Sequence, residues 1–174
     1  MTIIKTKDFI LRHVKVSDAK CFFEAEQDKN ARKNFMSTPK TIEEVERDIK
    51  CEILQYKRKK PTSEKFTIEF KGECAGWIVL NQLNTPFYEH KAKIDFCLHP
   101  NFRGKGIMTK AVKELTKYAF KKYKLKRIEG WCRTFNKASA RVLEKSGYKL
   151  EGILRKNKRK KRRYLDDMVF AKVK

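Results

Sequence analysis

Residues 94–112 read IDFCLHPNFRGKGIMTKAV. Ile94, Phe96 and Leu98 alternate with Asp95 and Cys97, the period of a strand with one buried face. His99-Pro100 ends that strand, because proline has no N–H to give to a ladder. Arg103-Gly104-Lys105-Gly106 follows, and Met108, Ala111, Val112, Leu115 and Ala119 then fall on one face of a helix. A strand, a glycine turn and a helix in that order make an anion site. The glycines let successive backbone N–H groups converge, and the helix N-terminus adds about half a positive charge. Arg103 and Lys105 strengthen the attraction. The commonest phosphate motifs are absent. No GK[ST] closes a GxxxxGK[ST] run, and Thr109 stands where the third glycine of a dinucleotide fingerprint belongs. An ordinary strand-to-helix turn has the same residue types, so the rest of the chain must decide.

Outward from this stretch, the 174 residues are enough for one domain that buries roughly 70% of its unfolded surface. A hydrophobic content of 40% and an aromatic content of 11% suit a packed core. Cysteines 21, 51, 74, 97 and 132 form no CxxC pair and are odd in number, so reduced thiols are expected and a disulfide framework is not. His13, His90 and His99 lack metal-ligand spacing, so no metal is expected. No apolar run approaches the ~20 residues of a membrane span, and charges interrupt the N-terminus, so neither an anchor nor a secretory signal is read and a cytoplasmic location is expected. The net charge of +23 is uneven. Residues 1–100 carry 19 basic and 15 acidic side chains, residues 101–174 carry 25 and 6. A polyanionic ligand or partner belongs with the C-terminal half.

Taken in order, a strand runs over 3–14, split at Lys7-Asp8, and Ser17 caps a helix to about Asp28 with Ala19, Phe22 and Phe23 inward. Residues 30–40 lack periodicity and read as a loop that shapes an acceptor groove. Thr41-Ile42-Glu43-Glu44 is a capping box for a helix to about Lys59. Phe66, Ile68 and Phe70, a Lys71-Gly72 turn, and the stretch 74–81 form a hairpin. Residues 84–90 are a second loop at the pocket. After the long helix, 126–132 is a strand, Asn136 caps a helix that Gly147 stops, and 148–154 is a strand. Residues 155–163, RKNKRKKRR, are a cationic run read either as a solvated hairpin turn or as a clamp for nucleic acid or an acidic protein, and 165–173 is the last strand.

Two further stretches carry a family resemblance. Asn136-Lys137-Ala138-Ser139, then Arg141-Val142-Leu143-Glu144-Lys145-Ser146-Gly147-Tyr148, is similar to the N-x-x-S-x-R-V-L-E-K-x-G-[FY] segment of RimJ/RimL-type acetyltransferases. RGKGI after a strand ending in HP resembles motif A of the GNAT N-acetyltransferase superfamily, usually [QR]-x-x-G-x-[GA], with Asn101 at its first position here. Leu11-Arg12 before Ser17-Asp18-Ala19, and Asp166-Asp167 before the final strand, also fit that branch.

The resemblance covers essentially the whole chain. It implies an α/β (α+β) fold: a single three-layer GNAT domain over 1–174, with a mixed, mostly antiparallel twisted sheet splayed at the coenzyme site and helices on both faces. It also implies acetyl-CoA as the acetyl donor, gripped by Arg103, Gly104, Lys105, Gly106, Ile107 and Met108, with the strand end at Cys97–Leu98 supplying backbone donors beside the thioester. It further implies that Ser139 meets the sulfur and that Asn136 contacts the pantetheine amide, a role read beside that of helix cap. Proximity in one cleft favours direct attack in a ternary complex. Cys97 is read as a small buried hydrophobe and not a nucleophile.

The base and acid roles stay open. Relatives carry glutamate where this chain has Lys93; Asp95, two residues on and on the same strand face, is either the base or a structural carboxylate paired with a lysine. Where other branches place a tyrosine acid this chain has Leu143, and Tyr148 is either an acid or a core aromatic. The expected acceptor is a protein N-terminal α-amine. A small amine, such as a polyamine or antibiotic, is the alternative. The overall field repels polyamines, although the acidic residues between Glu43 and Glu52 can reverse that locally. A catalytically idle domain that binds RNA or the ribosome through Arg155–Arg163 is the competing class.

Overall fold

The computed structural model describes residues 2–174. Eight strands form one sheet in the order β1-β2-β3-β4-β5-β6-β8-β7. They are β1 (Thr2–Lys5), β2 (Phe9–His13), β3 (Ser63–Phe70), β4 (Glu73–Asn81), β5 (Lys91–Leu98), β6 (Arg127–Arg133), β7 (Lys149–Lys160) and β8 (Arg163–Val173). Every neighbouring pair is antiparallel except β5 and β6. That parallel pair requires a crossover, and the crossover is the long helix that follows the glycine turn. The expected mixed, mostly antiparallel sheet is the one observed.

The helices are α1 (Ala19–Gln27), α2 (Lys29–Asn34), α3 (Ile42–Gln55), α4 (Ile107–Lys122) and α5 (Lys137–Lys145). The strands' two-residue period sorts the core into two layers. Ile78 and Leu80 of β4, with Ala92 and Ile94 of β5, pack with Ala111, Val112 and Leu115 of α4 and Leu143 of α5. Trp77, Val79 and Cys97 face the other way, onto Phe22 and Ala25 of α1 and Val45 and Ile49 of α3. Helices therefore cover both sheet faces, as the resemblance implied. Among the described residues, no helix is long and apolar enough to cross a membrane.

Four details depart from the sequence reading. Residues 29–34 form α2 and not a loop, because Asp28 Oδ2 caps the N–H groups of Asn30 and Ala31 at 3.0 and 3.3 Å, while six residues with one buried alanine show no helical period. The first helix starts after a 3₁₀ turn at Val16–Asp18, and the buried Asp18 rather than Ser17 holds the turn by accepting from Lys15 N–H at 2.8 Å. α3 stops at Gln55, where Gln55 Oε1 turns to accept from Thr62 N–H at 3.1 Å, so Lys57–Lys60 lie beyond the helix. Finally, Cys21 and Cys74 are paired as a disulfide 53 residues apart, which corrects the expectation of five free thiols. The packing of α1 on β4, and no cysteine spacing, brings them together.

Candidate active site

β5 and β6 run side by side only from Lys91↔Arg127 to Ile94↔Gly130. Beyond that point Asp95–Leu98 keep their ladder to β4, and Trp131–Arg133 keep theirs to β8, but the two strands part. A cleft therefore opens at the carboxyl ends of two parallel strands, where α/β sheets bind ligands. α4 begins at the end of one arm and α5 at the end of the other.

The β5 arm is made possible by Gly76, which the sequence reading did not single out. It lies opposite Leu98 at φ +142°, and a β-carbon there would overlap the Cys97 carbonyl oxygen and sit 2.9 Å from Leu98 Cα. Only glycine lets β4 approach the strand end this closely. Cys97 itself is 6% exposed, with its thiol directed at the Ala25 carbonyl and burial pushing its pKa up to about 12. It is a packed residue whose thiol burial holds in the protonated form. Leu98 gives its carbonyl to Arg103 Nε at 3.1 Å.

The turn at the end of that arm has the conformation the glycines were expected to allow. Gly104 and Gly106 have φ of +78° and +71°, and a β-carbon on either would meet nothing within 4 Å, so each faces open space. Among the described residues, the backbone N–H groups of Gly104 to Thr109 have no acceptor. Six consecutive free donors at a helix N-terminus form an anion cradle. Ile107 and Met108 contribute only main chain to it, because their side chains are in the core. Arg103 is engaged elsewhere. Its guanidinium bonds Asp28 Oδ2 at 2.8 Å and braces the turn against the start of α2. Burial raises the Asp28 pKa, but Arg103 and the α2 amides outweigh it and hold the carboxyl below its usual range. Lys105 Nζ donates to the Asn101 carbonyl at 3.0 Å.

On the β6 arm, Asn136 caps α5 and holds Ser139 twice: its Oδ1 accepts from Ser139 N–H at 3.2 Å, and its Nδ2 donates to Ser139 Oγ at 2.9 Å. Ser146 Oγ donates to the Thr109 carbonyl at 3.2 Å, tying the end of α5 to the first turn of α4. Tyr148 lies apart from these groups, in the core, 3% exposed, its hydroxyl 2.8 Å from Thr116 Oγ1, and burial raises its pKa. Leu143 occupies the space over Gly130.

Asp95 is the carboxylate on the β5 arm. Its pKa is raised, first by burial, against the opposing pull of Asn81, Lys93 and Lys158, and Asn81 Nδ2 donates to its Oδ2 at 2.7 Å. Among the described residues it has no ion pair within 4 Å. Glu26 of α1 is a second raised carboxylate on the same sheet face, held by Trp77 Nε1 at 2.9 Å, and it carries no sequence signal. No three His, Cys, Asp or Glu side chains among the described residues are grouped to hold a metal.

The cationic run continues as strand, because β7 extends to Lys160 and turns only at Lys161-Arg162. Lys160 Nζ donates to the carbonyls of Arg32, at 2.6 Å, and Phe35. Arg133 reaches the Asn34 carbonyl at 3.3 Å and pairs with the buried Asp167, whose other oxygen accepts from Asn157. The hairpin and β6 together therefore cap α2, the wall of the expected acceptor groove.

A parted sheet with an amide cradle on one arm and a capped Asn–Ser pair on the other defines a class, and sequence comparison agrees with it. The profile of the acetyltransferase (GNAT) domain family matches residues 8–149, and the chain belongs to that family as an N-acetyltransferase. It is 28% identical to the "Uncharacterized N-acetyltransferase YnaD" of Bacillus subtilis (strain 168) over 170 residues, 97% of this chain and 95% of that one. The crystal structure of a GNAT-family acetyltransferase from Bacillus anthracis superposes with a TM-score of 0.84 at 26% identity, covering 99% of this chain and 98% of the other. The RimL ribosomal L7/L12 α-N-protein acetyltransferase, in complex with coenzyme A, has the same fold, with a TM-score of 0.86 at 21% identity and coverage of 99% and 98%.

Proposed function

We propose that the protein moves the acetyl group of acetyl-CoA to a protein N-terminal α-amine by direct attack in a ternary complex. The single observation that carries the reading is the parting of β5 from β6 beyond Ile94↔Gly130, beside six unpartnered amides. The fit of the coenzyme rests on the same features: an open glycine cradle for a pyrophosphate, and a cleft that can take a pantetheine arm. The RimL relative, which acts on a ribosomal protein's α-amine and is solved with coenzyme A, supports both halves of the reading. A cytoplasmic location suits such an acceptor.

Acetyl-CoA supplies the activated acetyl thioester. The N–H groups of Gly104 to Thr109 hold its phosphates, and Asn136 and Ser139 meet the pantetheine end. An acceptor amine enters as an ammonium and must lose a proton before attack. Asp95 takes that proton, directly or through water, since its raised pKa brings a carboxyl closer to working pH. Glu26, with the same burial signature, is the alternative base. Backbone donors at the Cys97–Leu98 end of β5 stabilise the developing oxyanion without reorganising. Ser139 is assigned the proton held near the sulfur, because Tyr148 is committed to Thr116.

The exposed cations of Arg155–Arg163 support approach to a polyanionic partner such as a ribosome. None of them makes an ion pair within 4 Å among the described residues. Intact-mass analysis of the protein with acetyl-CoA and panels of peptides and polyamines tests the acceptor. A gain of one acetyl group on peptide N-termini is expected, and acetylation of polyamines alone overturns the reading.

A further inference from the structure

A cavity of about 400 Å³ lies over the paired stretch of β5 and β6, on the sheet face that carries Asp95 and beside the loop after β4, and Trp131 in its wall is the first β6 residue past the point where the strands part. Its walls include two aromatic rings, Tyr88 and Trp131, two lysines, Lys91 and Lys93, and Glu129.

The charges in it do not cancel. Glu129 is fully engaged: it accepts from Arg127 Nε at 2.9 Å, from Trp131 Nε1 at 3.0 Å and from Lys91 Nζ at 3.3 Å. Those donors hold its pKa low against burial. Lys91 is accordingly committed to Glu129. Lys93 is the cation left over. Its Nζ lies 3.5 Å from the centroid of the Trp131 ring, and among the described residues no carboxylate lies within 4 Å of it. Ring contact replaces part of its hydration but not a counter-ion. Lys158, reaching in from β7, adds positive potential at both Lys93 and Asp95.

Lys93 and Asp95 are two residues apart on one strand, and so on one face, about 7 Å from each other along the strand. If Asp95 receives the amine, Lys93 waits for a negative group about that far from it. In an extended peptide the side chain of the second residue reaches such a distance, while a free cationic chain has nothing to offer there.

We infer that this cavity selects acceptors whose second residue is acidic, with Lys93 as the specificity-determining contact to that carboxylate and Trp131 and Tyr88 as the apolar walls. This inference rests on the N-terminal acceptor reading above.

The test compares kcat/KM for three peptides identical except for aspartate, glycine or lysine at position two, with acetyl-CoA, in the wild-type protein and in Lys93→Arg, Lys93→Met and Lys93→Glu. The wild type is expected to favour the aspartate peptide over the lysine peptide by roughly tenfold or more, the effect of one partly desolvated charge contact. Lys93→Arg keeps that order, Lys93→Met flattens it, and Lys93→Glu reverses it. Equal rates in the wild type, or a preference that survives in Lys93→Met, overturn the inference and leave the N-terminal reading standing. Turnover of none of the peptides overturns both.

Discussion

The proposed base is Asp95, a carboxyl on the β5 arm whose pKa is raised by burial. Because of that rise, folding stabilises its neutral form relative to its ionised form. The stability this group contributes is present below its unfolded pKa and is lost as pH rises through the higher folded value. At neutral pH its ionised state is therefore a cost to folding, one that the proposed role as base accounts for. Asp95→Asn keeps the bond from Asn81 and removes that cost. The variant is expected to lose about 10²-fold or more in kcat, while its Tm at pH 7 rises by about 2 °C, the shift a gain of under 1 kcal/mol gives in a domain of this length. Steady-state kinetics and a thermal melt read both. A melt that falls together with activity contradicts the assignment. The position of Asp95 on its strand face was legible in the sequence from parity alone, but its environment was not. Asn81, the hovering Lys158 and the spare charge on Lys93 come from three different strands, and Glu26 arrives from a helix that has no motif.

Among the elements, the β4–β5 pair sets the geometry of the cleft, and Gly76 sets the β4–β5 pair. Gly76→Ala forces a β-carbon onto the Cys97 carbonyl and Leu98 Cα, both backbone, so the strand end must move. Gly130→Ala meets instead the Leu143 Cδ2 atom at 2.5 Å, a side chain able to rotate. We expect Gly76→Ala to weaken acetyl transfer at least tenfold through displacement of the Cys97–Leu98 donors, and Gly130→Ala to cost mainly stability. Kinetics of the two variants side by side decide it, and equal activity of Gly76→Ala and wild type contradicts it. Periodicity made β3 through β6, α4 and α5 readable, because each has an apolar face. It failed at α2, whose sequence KNARKN buries only Ala31, whose cap is the adjacent Asp28, and whose carbonyls are held by Arg133 and Lys160 from elsewhere. It failed as well at β7, where Lys158, Arg159 and Lys160 pair with Leu165, Tyr164 and Arg163 of β8 beyond an irregularity between Leu154 and Lys158. Arg133 and Lys160 lie 99 and 128 residues from the α2 carbonyls they hold, and the polar run of β7 has no apolar period, so a local pattern reveals neither.

Over the whole molecule, most of the net charge of +23 belongs to residues 101–174, with 25 basic and 6 acidic side chains. The hairpin does two jobs there: Lys160 and Asn157 turn inward to hold α2 and Asp167, while Lys156, Lys161 and Arg162 face solvent. Binding to ribosomal RNA is expected to weaken linearly in log–log salt titrations. Replacing Lys156, Lys161 and Arg162 with glutamine is expected to lower that slope by about 2 to 3, one per lost phosphate contact. An unchanged slope removes the hairpin from the interface. The uneven charge was plain in the composition; which cations are structural and which are free was not, because it depends on α2 lying under the hairpin tip.

The gripping of a diphosphate by the Gly104–Thr109 amides is most directly tested by calorimetric titration of acetyl-CoA into the wild-type protein and into Gly106→Val. A side chain at Gly106 meets no protein atom and so projects into the cradle, and φ +71° adds roughly 1–2 kcal/mol of strain. The predicted result is one saturable site in the wild type and an affinity at least tenfold weaker in the folded variant. No heat from the wild type, or equal affinity in the two proteins, would contradict it.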